Sequence, residues 1–516
     1  MLFNSYGFVF AFLLIFLAGF YGLRLIYDRT RLCFLERVAR LYLVASSLIF
    51  FAFFGLEYLG VFLVSILCNL VFIFLQKKIS KNRAKLLKIL FVFSIIFNVF
   101  YLGFFKYARF FAEIFAGISD TKKENIVVLP LAISFYTFSQ ISMQADLYRG
   151  KIDCSDYLEY LTYITFFPKL LQGPIMRFGD FKSQTTNLLG KSISVEKIES
   201  ALSLFVLGLA KKSLLADTLA AVTNFGYSQP DTLSSTEALV VIFIYPLQLY
   251  FDFSGYCDMA MAIGRMVGIE LPNNFNSPFK SRNIDELWKR WHMTLTSFFT
   301  EYVYIPLGGG RKGEFRTYVN FIIIFLVSGF WHGAGLGFIL WGALHALAYV
   351  LTRFCIKRRI VEDSMDDRIR AKTGISGKNR YKRLMNKPFG IFFNYLFVAF
   401  TFSLVGAGSI GTAISLFRRV FGNFVVGFSK NFLELFMLDE LWYIIKMTSF
   451  ANGKYSMTIC MWIIIAISFA ICLFAKNAYE IAEKKLTVKR AVLFGLLFVW
   501  SVLAFSEVST YIYMGF

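Results

Sequence analysis

Residues 318–333 read Tyr-Val-Asn-Phe-Ile-Ile-Ile-Phe-Leu-Val-Ser-Gly-Phe-Trp-His-Gly, and this stretch decides the fold. From Phe321 to Phe330 no side chain is charged. Such a run belongs in hydrocarbon, where the backbone finds no water and must close its hydrogen bonds as a helix. Past its end stands His332, about 16 residues beyond the basic Arg316, or roughly 24 Å along a helix rising 1.5 Å per residue. An ionisable group that deep in a membrane segment is a functional candidate by position alone.

Comparable runs recur toward both ends of the chain, for example at residues 6–23, 89–105 and 457–475. Across the 516 residues 57% are hydrophobic and 19% aromatic, and the mean hydropathy is +0.60, outside the range of a soluble globular domain. The sequence therefore predicts an all-α polytopic membrane protein. The net charge of +21 does not point to nucleic acid, because the basic residues fall in short clusters between apolar runs, at 24–40, 77–88, 353–387 and 476–490. That is the pattern of loops kept in the cytoplasm. Residues 6–23 are followed by arginines without a small-residue cleavage site, so they read as a first membrane helix rather than a removed signal peptide. The seven cysteines are scattered, without CxxC or Cys/His grouping, and read as small core residues.

Placing the basic clusters inside gives about twelve crossings, at 6–23, 41–55, 58–75, 88–116, 126–145, 199–222, 237–267, 318–333, 337–354, 388–407, 457–475 and 491–507, with both termini outside. Residues 157–172 contain Pro168 and end in Gln-Gly-Pro, which suggests a re-entrant or broken helix buried in protein. Residues 273–316 are too interrupted by Pro, Gly and charge to cross and should sit at the cytoplasmic face. Residues 422–451 are amphipathic enough to lie along the outer interface. By this scheme 1–104 holds N-terminal membrane helices, 105–352 the core, 353–387 a cytoplasmic loop, and 388–516 C-terminal membrane helices with an aromatic tail. Lys211 and Lys212 resist the scheme, since they fall inside an apolar run.

The chain has three histidines, His292, His332 and His345, all within a window of 54 residues. Histidine suits proton transfer near neutral pH. His332 reads either as a general base that takes a proton from an attacking hydroxyl or as a histidine hydrogen-bonded in the core. His292 lies in Leu-Trp-Lys-Arg-Trp-His-Met-Thr-Leu-Thr, near the inner face, and reads either as a catalytic group near a donor's thioester or phosphate or as a residue that orients the local helices, with Trp288 and Arg290 candidates for donor binding. His345 reads as structural. Gly308-Gly-Gly-Arg-Lys-Gly313 satisfies GxGxxG but follows no strand, so it is no dinucleotide site. Arg311 and Lys312 there are candidates for a donor's phosphates, or ordinary positive-inside charge. There is no GxSxG elbow, no His-x4-Asp box and no metal-ligand cluster.

The stretch 272–347 resembles the signature of the bacterial membrane-bound O-acyltransferases that serve alginate and peptidoglycan O-acetylation. The resemblance rests on Asn274-Phe with Ser277-Pro-Phe, on Leu287-Trp-Lys-Arg-Trp-His-Met-Thr-Leu, on Tyr304-Ile-Pro-Leu-Gly-Gly, on Ser328-Gly-Phe-Trp-His-Gly and on Leu340-Trp-Gly. Further matches are Phe105-Lys-Tyr, the run Leu129-Pro-Leu-Ala-Ile-Ser-Phe-Tyr-Thr-Phe, Asp146-Leu-Tyr-Arg-Gly, Phe167-Pro-Lys-Leu-Leu-Gln-Gly-Pro-Ile, Gly208-Leu-Ala-Lys-Lys and Tyr250-Phe-Asp-Phe-Ser-Gly-Tyr. The resemblance implies a helical fold around a central tunnel joining the two membrane faces, with His332 the catalytic histidine and His292 a second important one. It makes Trp331, Asn274 and Ser328 tunnel candidates and Tyr513, in the aromatic tail, a candidate acyl relay.

The implied activity is transfer of an acyl group, acetyl above all, from a cytoplasmic thioester such as acetyl-CoA across a bacterial cytoplasmic membrane to a cell-surface or exported polysaccharide. No bound cofactor is implied. The expected partners are the thioester donor, a periplasmic or extracellular acetyltransferase partner protein, the polysaccharide and membrane lipid. D-alanyl transfer to teichoic acids and a non-catalytic transporter are the alternatives. The chain departs from the family pattern in having Ser403-Leu-Val-Gly-Ala-Gly where Phe-Arg-Ala is frequent, and Glu301 in place of Asp.

Overall fold

A computed structural model describes residues 1–79, 82–116, 130–154, 156–333, 335–373, 387–422 and 424–506. Every regular element among them is helical. Eight helices are long and apolar enough to cross a membrane: α1 (Phe8–Thr30), α2 (Leu56–Lys78), α3 (Ala84–Tyr107), α4 (Ser235–Met266), α5 (Glu314–His332), α6 (Leu336–Arg358), α7 (Pro388–Gly406) and α8 (Ser456–Leu473). The remaining expected crossings also contain helix, but these helices are shorter or carry more charge. Phe34–Ala52 includes Glu36, Arg37 and Arg40, while Ile133–Tyr148 and Val488–Leu503 have 16 residues each. Val195–Ala210 runs on through a π-helical turn into Asp217–Ser228.

Contacts group the described chain into two units, and neither is a continuous piece of sequence. The first draws on Met1–Asp217, Tyr250–Asn273 and Ala478–Phe516, and the second on Thr218–Leu249 and Asn274–Asn477.

In the first unit, the Pro168 segment is broken as its sequence suggests. Tyr157–Thr165 ends, Phe166 leaves helical geometry (φ −48°, ψ 101°), and a new turn runs from Phe167 to Leu170 with Pro168 in its first turn. Proline is tolerated there because that N–H would have no helical partner. The break also frees the Phe167 N–H, which donates to Ser47 Oγ at 3.1 Å. The Phe167 ring then fills the core, 5.4 Å from Phe12 and 5.0 Å from both Phe16 and Phe50. Nearby helices are joined by amides. Asn69 of α2 and Asn98 of α3 bond reciprocally at 3.1 and 2.9 Å, Gln144 donates to Asn69, and Gln76 donates to Gln144 at 2.6 Å.

The two lysines that fit poorly in an apolar run lie in the π-turn Lys211–Ala216. Lys212, 1% exposed, sits between Asp217 and Asp252 at 2.8 and 2.7 Å, and Lys211 meets Asp258 at 2.6 Å. A charge is tolerated in such surroundings when it is paired.

In the second unit, α5 and α6 form a tight antiparallel pair. A Cβ on Gly329 would stand 2.5 Å from Phe338 O, and one on Gly342 2.6 Å from Phe325 O. Glycine at both positions is what lets the two backbones approach so closely. Beyond Arg358 the helix does not stop, for it continues to Thr373. The cytoplasmic loop expected at 353–387 is therefore corrected to helix as far as Thr373. Charge marks the segment as water-facing, yet residues 343–373 contain no Gly or Pro and are rich in Arg, Lys and Ala, all good helix formers. The stretch 422–451 folds as short helices at Lys430–Glu434 and Asp439–Ile445, with Tyr443, Ile444 and Met447 exposed.

Removing one partner of a buried ion cluster leaves the other charge uncompensated, at a cost of roughly 3–5 kcal/mol. Lys212→Ala should therefore sharply lower the melting temperature of the detergent-solubilised protein. Lys289→Ala, which removes an ammonium 61% exposed in its pair with Asp285, should cost below about 1 kcal/mol. Equal melting of the two variants would show that the buried cluster contributes no stability.

Candidate functional site

The segment preceding α5 is organised by one side chain. Asn274, fully buried, accepts at Oδ1 from Thr294 N–H (3.2 Å) and Thr294 Oγ1 (2.9 Å), and lies 3.1 Å from His292 Nδ1. The Thr294 N–H can only donate, which identifies that atom of Asn274 as oxygen and an acceptor. His292 Nδ1 must then carry the proton, leaving Nε2 as the lone-pair nitrogen. The Asn274 backbone carbonyl also accepts from Met293 N–H at 2.9 Å. These bonds hold His292 in the left-handed region (φ 45°, ψ 51°), which costs a non-glycine residue of order 1 kcal/mol or more. Burial lowers the His292 pKa from the usual 6.5 to about 3, so its ring is neutral near pH 7.

The other two histidines share a nest of rings. The short helix Ile284–Trp288 is capped by Asn283, whose side chain accepts from Glu286 N–H at 2.9 Å. It is pinned to α6 by Asp285, which pairs with Lys289 at 2.6 Å and with Arg353 at 2.9 Å. This sets Trp288 5.7 Å from Trp341 and 5.4 Å from His345, centre to centre. Trp341 and His345 lie one turn apart on α6, their rings 4.8 Å apart. His332, at the last turn of α5, lies 4.4 Å from its neighbour Trp331 and edge-on to Trp341 at 5.2 Å. The close glycine contact of α5 with α6 is what brings these two helices' rings together. Phe402 of α7 joins the nest to the His292 segment, its ring 5.8 Å from His345 and 5.4 Å from Trp291. His345 Nε2 meets Thr401 Oγ1 at 3.0 Å.

The expected site residues thus fall into separate places. His332, Trp331 and Trp288 belong to the nest, and His292 and Asn274 to the polar node linked with it through Trp291 and Phe402. Ser328 is buried on α5, one turn before His332. Arg290 bonds the Asn276 carbonyl at 3.3 Å. Arg311 and Lys312 are exposed in the turn before α5, so the 19 residues of that helix, about 28 Å, separate them from His332. Tyr513 lies outside the described residues. A cavity of about 500 Å³ is lined by Arg282, Asn283, Phe389, Asn394 and Phe397, and Phe397 also touches His345 at 5.1 Å. Among the described residues no group of three His, Cys, Asp or Glu side chains could hold a metal ion.

Sequence reasoning missed Thr401 and Phe402, which carry no signal within an ordinary apolar run. It also missed Asp285, whose sign was an acidic residue three positions before Trp288. An imidazole walled by aromatic rings can take up a proton where water is scarce.

The family profile of the membrane-bound O-acyltransferases (MBOAT) matches residues 117–374. A peptidoglycan O-acetyltransferase of Helicobacter pylori is 38% identical over 380 residues, covering 68% of this chain and 70% of that protein. A probable alginate O-acetylase of Pseudomonas putida is 35% identical over 361 residues, 68% of this chain and 71% of its own length. A teichoic acid D-alanyltransferase of Streptococcus thermophilus is 28% identical over 284 residues, 53% of this chain and 67% of its own. With its helical architecture and its histidine nest, the chain belongs to the membrane-bound O-acyltransferase family and is an O-acyltransferase of the multi-pass membrane type.

Proposed function

We propose that the chain carries the membrane step of polysaccharide O-acetylation. It takes an acetyl group from a cytoplasmic thioester, acetyl-CoA or another, and delivers it outward to a hydroxyl of a cell-surface or exported polysaccharide, directly or through an extracytoplasmic partner protein. The observation that carries this reading is His332, buried at the far end of α5 among Trp331 and Trp341. The names of the peptidoglycan and alginate relatives support the polymer class. The D-alanyl relative, less similar and less covered, supports the second reading, transfer of D-alanine to teichoic acid.

In this mechanism the His332 imidazole takes the proton of the attacking hydroxyl as its oxygen bonds to the thioester carbonyl carbon. The tetrahedral adduct expels the thiolate, which receives that proton. His292 acts by holding its segment in place. Arg311 and Lys312, before the first turn of α5, meet the donor's phosphates at the cytoplasmic face in this reading, which has both termini outside. Tyr513 serves as the acyl relay: its phenol is the first attacking hydroxyl, giving a phenyl ester and the free thiol, and a second hydroxyl, of the partner or the polysaccharide, then takes the acyl group and releases the phenol.

His332→Ala should remove the acetyl esters of the cell envelope at unchanged protein abundance, measured by ester release and mass spectrometry. Unchanged esters would overturn the reading, and loss of D-alanine esters instead would select the second one. Asn274→Ala should lower stability by about 1–3 kcal/mol, since it leaves buried donors of His292 and Thr294 without their acceptor. A melting curve equal to that of the parent would show that Asn274 does not hold His292. After incubation with labelled donor and no acceptor, the C-terminal peptide should carry a labelled acyl group on Tyr513, and an unmodified peptide rules the relay out.

A further inference from the structure

Buried polar atoms are rarely left without a partner, and each one that is costs roughly 1–3 kcal/mol. The ring nest contains two such donors. Trp288 Nε1 and Trp341 Nε1 are both shielded from solvent, and neither has a hydrogen-bond partner among the described residues. Each indole is an obligatory donor with nothing to accept, so two N–H groups remain available in one small volume. Their rings are 5.7 Å apart, and each lies against His345, at 5.4 and 4.8 Å. Trp341 is also the ring that meets His332 edge-on at 5.2 Å. One unengaged N–H donor therefore belongs to the ring that meets the candidate base, and the second belongs to the next ring, 5.7 Å further on, in surroundings built of aromatic carbon.

We propose that the indole N–H groups of Trp288 and Trp341 form an oxyanion hole for the acyl thioester, with Trp341 the donor nearer His332. The assignment rests on the acyl-transfer reading above. As the hydroxyl oxygen bonds to the carbonyl carbon and gives its proton to His332, the C=O π pair moves onto the carbonyl oxygen. The two N–H groups hydrogen-bond that oxyanion. When the pair returns, the C–S bond breaks and the thiolate leaves, taking the proton from the imidazolium. Charge is conserved at each step and no co-reactant is needed. Donors already fixed in a medium of low dielectric need no reorganisation as the charge develops, and this arrangement is the one that stabilises acyl-transfer transition states most.

His345, whose ring lies against both indoles, has its tautomer set through Thr401, whose Oγ1 carries one proton. Directed to His345 Nε2 at 3.0 Å, that proton leaves Nδ1–H as a third donor. Directed to the Phe397 carbonyl at 2.8 Å, it leaves Nδ1 with a lone pair. Nδ1 likewise has no partner among the described residues.

The test measures acetyl transfer by the full-length protein in detergent or liposomes. Trp288→Phe and Trp341→Phe keep a ring and remove the N–H, and each should lower kcat at least about tenfold with donor KM changed less than about threefold. Melting temperature is followed alongside. Where a phenylalanine variant does not fold, replacement of the same tryptophan by benzothienylalanine, which exchanges N–H for sulfur in a ring of nearly equal shape, decides the matter. Folded variants with kcat within twofold of the parent would overturn the oxyanion hole while leaving the role of His332 intact. Full turnover by His332→Ala would instead overturn the reading on which the hole depends.

Discussion

A polar group inside a bilayer has no water to bond, and that constraint governs how this chain is assembled. Lys212 tolerates burial because Asp217 and Asp252 both lie within 2.8 Å. The Phe167 N–H, freed where the helix breaks, is taken up by Ser47 from more than a hundred residues earlier. Asn69, Asn98 and Gln144 tie three helices of the first unit with amides that would destabilise each helix alone. In each case the local feature is unfavourable until a partner distant in sequence completes it. Correct helix assembly and polar satisfaction are therefore one event.

The second unit applies the same logic to its histidines. Close approach of α5 and α6 requires Gly329 and Gly342, and this approach sets Trp341 against His332. The Asp285 pair with Arg353 holds a five-residue helix against α6, far too short to be stable by itself, and so fixes Trp288. Asn274 gathers three donors and holds His292 in a backbone conformation it would not adopt unaided. Arg353 also lies over the ring of Phe321, in the half of α5 nearer Arg311 and Lys312. The cationic turn and His332 are set about a helix length apart, at the two ends of α5.

Hydropathy and charge made the helical membrane class legible, and the scarcity of histidine singled out the three residues around which the candidate site is described. The break at Pro168 was legible as well, since proline and Gln-Gly-Pro carry a local signal. What escaped depends on pairing across distance. Nothing near Lys211 announces Asp252 or Asp258, some forty residues on, and Phe402 looks like any other apolar residue of α7. The helix running to Thr373 was missed for a different reason. Charge density reports where a segment meets water, not whether its backbone is helical, and Arg, Lys and Ala favour helix in either setting.

The aromatic walls of the nest bear on the chemistry as much as on packing. A thioester held beside a base in an aqueous chamber would meet water as readily as a sugar hydroxyl, and hydrolysis would compete with transfer. Trp288, Trp331, Trp341 and Phe402 supply surfaces that bind water poorly, so in the proposed mechanism a hydroxyl delivered to His332 would have little competition. The same surfaces lower the local dielectric, which strengthens any N–H aimed at a developing negative charge. An unpartnered indole N–H in such a place is a cost to folding, borne by the surrounding packing. It becomes useful at the moment an oxyanion forms, because a donor already satisfied by the protein would first have to give up its partner.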